Sequence, residues 1–207
     1  VNSTDGIIGN ALNLTDGPCC GNPSQTTVTA SDVVPTSNGQ NLSVSGWIYS
    51  NSTDGGTFWC VGEDSGSSEF RFFFYVCNYV WDNEEGGAVT YPANAFVFGK
   101  WAHVVTTYDG STVEMFINGV SLDTCGCNTP AVNTFANGDF KLGGCESAFS
   151  DTKDFYTDDV RVYDRVLSDS EILELYRTGR PCQNPDGQTG DLTYNSSTKV
   201  TMYYDLR

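Results

Sequence analysis

Short runs of alternating or aromatic-rich residues recur along the chain, between clusters of Gly, Asn, Asp, Ser and Pro. Alternation with period two is the mark of a strand with one buried face. The runs predict strands over Ala11–Thr15, Leu42–Tyr49, Thr57–Val61, Phe70–Val80, Trp101–Tyr108, Val113–Ile117 and Asp159–Tyr163. In VEMFI, Val113, Met115 and Ile117 fall on one face, with Glu114 and Phe116 on the other. Asn118-Gly119 follows at once, and both residues tolerate positive φ, which signals a hairpin turn.

One helix is predicted, after Leu167. Ser168 is placed as N-cap, with Glu171 three residues on to complete a capping box and Leu167 and Ile172 as a hydrophobic staple. Ile172, Leu175 and Tyr176 form the apolar stripe, and Gly179 and Pro181 stop it. Such a helix is too short to stand alone and must dock on a sheet. Beyond Pro181 the composition turns to CQNPDGQTGD, then LTYN and KVTMYYDLR. There Val200, Met202 and Tyr204 alternate with Thr201, Tyr203 and Asp205, which predicts an added strand or hairpin. Many strands and almost no helix point to a sandwich or jelly roll.

Composition supports a folded domain: 39% hydrophobic, 13% aromatic and 17% charged residues over 207 positions. The 26 acidic residues against 10 basic ones give a net charge of −16. Phosphate surfaces need a basic footprint, so nucleic acid and anionic membranes are excluded as direct partners. An acidic surface instead suits divalent cations and neutral ligands. No apolar stretch approaches the roughly 20 residues of a membrane span, so no membrane insertion is expected. The chain begins at Val1 without Met or a signal peptide, as expected of a mature or trimmed product.

Eight cysteines, Cys19, Cys20, Cys60, Cys77, Cys125, Cys127, Cys145 and Cys182, accompany a single histidine. An even count argues for disulfides and an oxidising compartment. The metal alternative, zinc on Cys125-Gly-Cys127 and Cys19-Cys20, has poor ligand spacing. Eight cysteines allow about 105 pairings. Cys60 and Cys77, on strand-like runs joined by GEDSGSSE, are the best-placed pair for one bridge. Sequons for N-glycosylation occur at Asn2, Asn13, Asn41, Asn51 and Asn195. Asn51 lies in the turn SNSTDGG, while Asn13 and Asn41 fall on the solvent phase of alternating strands. Together these features predict a secreted or cell-surface chain.

The stretch WAHVVTTYDGSTVEMFINGVSLDT, then KLGG, then DDVRVYDRVLSDSEILELYRTG, preceded by GIIGNALNLTDG and LSVSGWIYS, resembles the laminin-G-like, concanavalin A-like family in its pentraxin-related branch. The resemblance covers roughly residues 6 to 180. It implies an all-β fold, a two-sheet antiparallel jelly-roll sandwich with one short C-terminal helix and an added terminal strand or hairpin. Residues 1–180 would form the sandwich and 181–207 a C-terminal extension. It also implies a structural place for His103, and a structural Ca2+ held between Asp16 and Asp158, although Pro18-Cys19-Cys20 replaces the usual polar run after Asp-Gly.

Folds of this kind include glycoside hydrolases and polysaccharide lyases, and a retaining glycosidase needs two carboxylates about 5 Å apart. No E-x-D-x-E run supplies them: Glu114 stands alone, Glu84-Glu85 lies in a Gly-flanked turn, and the neighbours Asp158 and Asp159 would point to opposite faces of a strand. A non-catalytic chain is therefore expected. Tyr79, Trp81, Asn83 and Tyr91 form a candidate sugar-stacking cluster, against the alternative that such aromatics pack the sandwich. Residues 183–207 could extend the chain's own sheet or a neighbour's, with Val200, Met202 and Tyr204 as the contact. The expected function is a self-associating subunit of an extracellular filament or surface coat, and the rival is a carbohydrate-binding or adhesion domain of a larger protein.

Overall fold

The computed structural model describes residues 2–5, 7, 10–14, 28–30, 41–50, 56–61, 70–75, 78–83, 87–91, 99–110, 112–122, 140–142 and 155–179. Among them are thirteen strands: β1 (Asn2–Asp5), β2 (Asn10–Leu14), β3 (Val28–Ala30), β4 (Leu42–Ser50), β5 (Gly56–Val61), β6 (Phe70–Tyr75), β7 (Asn78–Asn83), β8 (Gly87–Tyr91), β9 (Ala102–Tyr108), β10 (Val113–Ile117), β11 (Val120–Ser121), β12 (Phe140–Leu142) and β13 (Phe155–Tyr163). Helix α1 (Asp169–Thr178) follows. The strands form a seven-stranded sheet, β1-β2-β13-β4-β9-β10-β11, and a six-stranded sheet, β3-β12-β5-β6-β7-β8. The strand pairs are antiparallel throughout.

Alternation builds the sandwich. Leu42, Val44 and Ile48 of β4, Ala102, Val104 and Tyr108 of β9, and Val113, Met115 and Ile117 of β10 all enter one buried cluster. They meet Phe58, Trp59 and Val61 of β5 and Phe140 and Leu142 of β12. Phe58 packs edge-on against Phe155, with ring centroids 4.9 Å apart, and so joins the two sheets. Each such buried side chain contributes about 1.5–3 kcal/mol relative to exposure.

The opposite face of the seven-stranded sheet carries a second, smaller cluster. Val105 and Phe116 pack there with Tyr163, Leu167 and Ile172 beneath α1. The predicted capping box is present: Ser168 accepts from the Glu171 backbone while the Glu171 carboxylate accepts from Ser168 N. The buried hydroxyl of Ser43 on β4 anchors the lead into the helix. It donates to the Arg165 carbonyl at 2.8 Å and accepts from Leu167 N at 3.0 Å.

The predicted hairpin at Asn118-Gly119 forms, with φ of 54° and 78°, and Ile117 paired to Val120. Asn118 is also tied to β9: its N donates to the His103 carbonyl, and its Oδ1 accepts from His103 N.

Two details differ from the pattern. The single run Phe70–Val80 is split into β6 and β7, paired from Tyr75 to Asn78, because the hairpin closes with no Gly or Pro to mark it. The strand expected from Asp159 begins at Phe155 and carries an irregularity between Asp158 and Arg161, with Asp159 at φ 48°. Asp158 and Asp159 therefore do not follow simple alternation. Residues 183–207, with Val200, Met202 and Tyr204, lie outside the described residues.

Candidate functional site

The outer face of the seven-stranded sheet divides into two zones along the same strands. In the first, α1 covers Trp47 of β4 and His103 of β9. These rings lie 5.2 Å apart, and Tyr176 of the helix packs on both, at 5.8 Å from Trp47 and 6.2 Å from His103. His103 is only 3% exposed. Burial, aided by the positive charge of Arg161, lowers its pKa from 6.5 to about 4. The imidazole is therefore neutral at neutral pH and enclosed beneath a helix, which is a packing role. Trp47 Nε1 and His103 Nδ1 are buried and meet no hydrogen-bond partner among the described residues.

The second zone begins two residues along each strand. Tyr156 of β13 is paired with Tyr49 of β4, and Ile48 with Ala102, which places Trp101 beside Tyr49. The Tyr49 ring lies 5.7 Å from Tyr156 and 5.8 Å from Trp101. All three aromatics are half-buried. Their neighbours Phe155, Ile48 and Ala102 face the core, so the row is on the outer side. The row continues by register to Asn13, opposite Tyr156, and to Asn2, opposite Asn13. Two predicted sequons thus lie at the edge of an aromatic row that the sequence reading missed. Its three aromatics come from segments far apart in the chain; the available signal was their shared outward phase.

The aromatic cluster singled out in the sequence lies on the six-stranded sheet, on β7 and β8. Tyr79 pairs with Tyr91, Trp81 with Val89 and with Phe72, and Phe72 with Trp59. Trp59 belongs to the core. The register places Tyr79 opposite Tyr91 and Asn83 opposite Gly87, on the neighbouring strands β7 and β8.

The acidic pair at the β13 irregularity is not a two-carboxylate site. Asp158 Oδ1 accepts from Asp159 N at 2.8 Å, while both oxygens of Asp159 bind Arg161, at 2.9 and 2.8 Å. Glu114 is exposed on β10. No cluster of three or more His, Cys, Asp or Glu suited to a metal occurs among the described residues. Asp16 and the pair Glu84-Glu85 lie outside them. Asn41 is exposed beside β4, whereas Asn51 and Asn195 lie outside the described residues. Cys60 is buried and disulfide-bonded; the other seven cysteines are outside the described residues. No helix among the described residues is long and apolar enough to cross a membrane.

The architecture is similar to several solved structures. The binding domain of botulinum neurotoxin serotype G superposes with a TM-score of 0.61 at 15% identity, over 86% of this chain and 44% of that one. The receptor binding domain of botulinum neurotoxin D gives 0.60 at 14% identity, over 88% and 47%. The native heptameric SAP-like pentraxin from Limulus polyphemus gives 0.61 at 14% identity, over 79% and 80%. The chain thus spans less than half the length of the toxin binding domains, and at these identities the likeness is one of fold. No curated protein sequence matches the chain. Residues 22–173 match the family model of the concanavalin A-like lectin/glucanases superfamily, in its laminin-G group, and the chain belongs to that superfamily.

Proposed function

We propose that the chain is a non-catalytic extracellular binding module whose ligand is carbohydrate, held on the outer face of the seven-stranded sheet. The observation that carries this reading is the row Tyr156–Tyr49–Trp101, three half-buried rings packed side by side next to the helix-covered zone. Aromatic rings with an apolar face and a polar tip suit the CH faces and hydroxyls of a sugar. The net charge of −16 favours neutral saccharides over polyanionic ones. Receptor-binding toxin domains among the similar folds are consistent with a binding role. A structural Ca2+ shared by Asp158 and Asp16 belongs to this proposal; Asp159, engaged by Arg161, is not a further ligand.

The test is titration of the folded chain against a panel of immobilised neutral oligosaccharides. Saturable binding that Trp101→Ala and Tyr49→Ala each weaken roughly tenfold, ~1.4 kcal/mol, is the expected result. Binding that survives both changes, or no binding across the panel, rejects the site.

A second reading is self-association into a filament or coat. The observation favouring it is Val120, 64% exposed on β11 at the edge of the seven-stranded sheet. Residues 183–207, with Val200, Met202 and Tyr204, would add a strand to such an edge in a neighbouring copy. Light-scattering mass of residues 1–207 and 1–182 decides it: assembly of the longer chain alone supports it, and two monomers reject it.

A further inference from the structure

The sequon Asn41-Leu42-Ser43 runs into the start of β4. An acceptor sequon ordinarily lies in a surface loop, where a transferase can hold all three residues and read the hydroxyl of the third. Here only the asparagine is accessible. Asn41 is exposed, whereas Leu42 is 1% and Ser43 0% exposed. Leu42 enters the core between the sheets. The Ser43 hydroxyl is engaged twice, donating to the Arg165 carbonyl at 2.8 Å and accepting from Leu167 N at 3.0 Å. Its backbone is flanked on both sides, by Thr107 of β9 and Tyr163 of β13.

Presenting that hydroxyl to an enzyme would mean pulling β4 out from between β9 and β13 and lifting Leu42 out of the core. Core strands open only at a cost close to that of unfolding the whole domain. The folded chain therefore withholds this sequon. The groups that bury Ser43 are distant in sequence: Arg165 and Leu167 lie 122 and 124 residues further on. Until they are made, nothing holds the Ser43 hydroxyl away from a transferase.

We propose that Asn41 carries an N-linked glycan and that the glycan is attached only before β4 is paired, by a secretory oligosaccharyltransferase with a lipid-pyrophosphate-linked oligosaccharide as donor. The Asn41 amide nitrogen gives its electron pair to the anomeric carbon, and an N–C bond forms. The bond from that carbon to the pyrophosphate oxygen breaks, and its electrons leave with the lipid pyrophosphate. One amide proton passes to a base of the transferase. Folding then buries Leu42 and Ser43 and leaves the glycan in water. Asn41 and Tyr49 are eight residues apart along one extended run. At about 3.3 Å per residue they are separated by roughly 26 Å. The glycan thus leaves the row Tyr156–Tyr49–Trp101 open. The proposal rests on the reading of the chain as extracellular and is independent of the aromatic row, so its failure would leave the oligosaccharide titration untouched.

The test compares three samples of the full chain, with Asn41 read by glycopeptide mass spectrometry in each. The first is synthesised in the presence of secretory-membrane vesicles. The second is made without glycosylation, folded, and then given purified transferase and lipid-linked donor. The third is the second after reduction and alkylation, with circular dichroism confirming that it is unfolded. A glycan on Asn41 in the first and third, and its loss in the second, is the expected result. An unmodified Asn41 in the first sample, or a folded chain modified as readily as the unfolded one, overturns the proposal. The unaltered sequence is used, so no variant need fold.

Discussion

Gly179 sits so close to the indole of Trp47 that a β-carbon there would lie 2.5 Å from Nε1. Its φ is −78°, an ordinary helical value, so glycine is required at the end of α1 for room and not for a left-handed turn. Gly179→Ala should push the helix off the Trp47–His103 zone and lower stability by about 1–3 kcal/mol. Chemical denaturation of the variant, with tryptophan emission as probe, checks this. Gly119→Ala meets a different obstacle. At φ 78°, with Leu173 Cδ1 2.9 Å from the added carbon, backbone strain adds to contact, for a loss of about 1–2 kcal/mol.

His103 predicts an acid limb of stability. Its folded pKa of about 4 lies below the ordinary imidazole value of 6.5. As pH falls through 6.5, the unfolded chain takes up a proton that the folded one refuses until about pH 4. The contribution is thus complete above about pH 6.5 and lost progressively down to pH 4, by at most about 3 kcal/mol. Denaturation midpoints between pH 4 and 7 should show this slope in the parent, and a flatter one in His103→Gln.

The helix start offers a separate measurement. Glu171 accepts from Ser168 N at 2.8 Å and binds Arg165 through both oxygens, at 3.0 and 2.8 Å. The Arg165 hydrogen bond first, then those from Ser168, hold its pKa at about 2. The cap should survive mild acid and weaken only as pH falls from about 4.5 towards 2. Ser168→Ala should cost about 1 kcal/mol at neutral pH, read from the thermal midpoint.

Asp159 combines φ 48° with a two-oxygen bond to Arg161. Asp159→Gly loses the ion pair but suits the backbone, whereas Asp159→Ala loses the pair and keeps the strain. The alanine variant should be the less stable of the two by about 1 kcal/mol. Equal midpoints for the two variants would refute a strained backbone at this position.

How far the sequence foretold this structure depends on distance along the chain. The Val113–Ile117 strand with its Asn118-Gly119 turn, and the Ser168–Glu171 cap, are encoded within a few residues and were legible. The turn between Tyr75 and Asn78 was not, since it lacks the residues that usually mark one. Nor were the short strands β1, β3 and β8, whose identity lies in their partners. For the candidate site, nearness in sequence is not what brings the rings together. Tyr79, Trp81 and Tyr91 are close in sequence and lie on the neighbouring strands β7 and β8, while Trp101, Tyr49 and Tyr156 meet only because β9, β4 and β13 lie side by side.

The seven-stranded sheet places β13 between β2 and β4. The hairpin of β1 and β2 thus joins the rest of that sheet only through a strand completed at Tyr163. On the ribosome, the first hairpin must wait for some 150 further residues before it has anything to pair with, while β4 emerges with an unmatched edge. Strand pairing over such separation is slow and leaves edges open to aggregation. This sheet is therefore completed only once β13 has been made, and a chain cut short before it leaves the hairpin of β1 and β2 stranded.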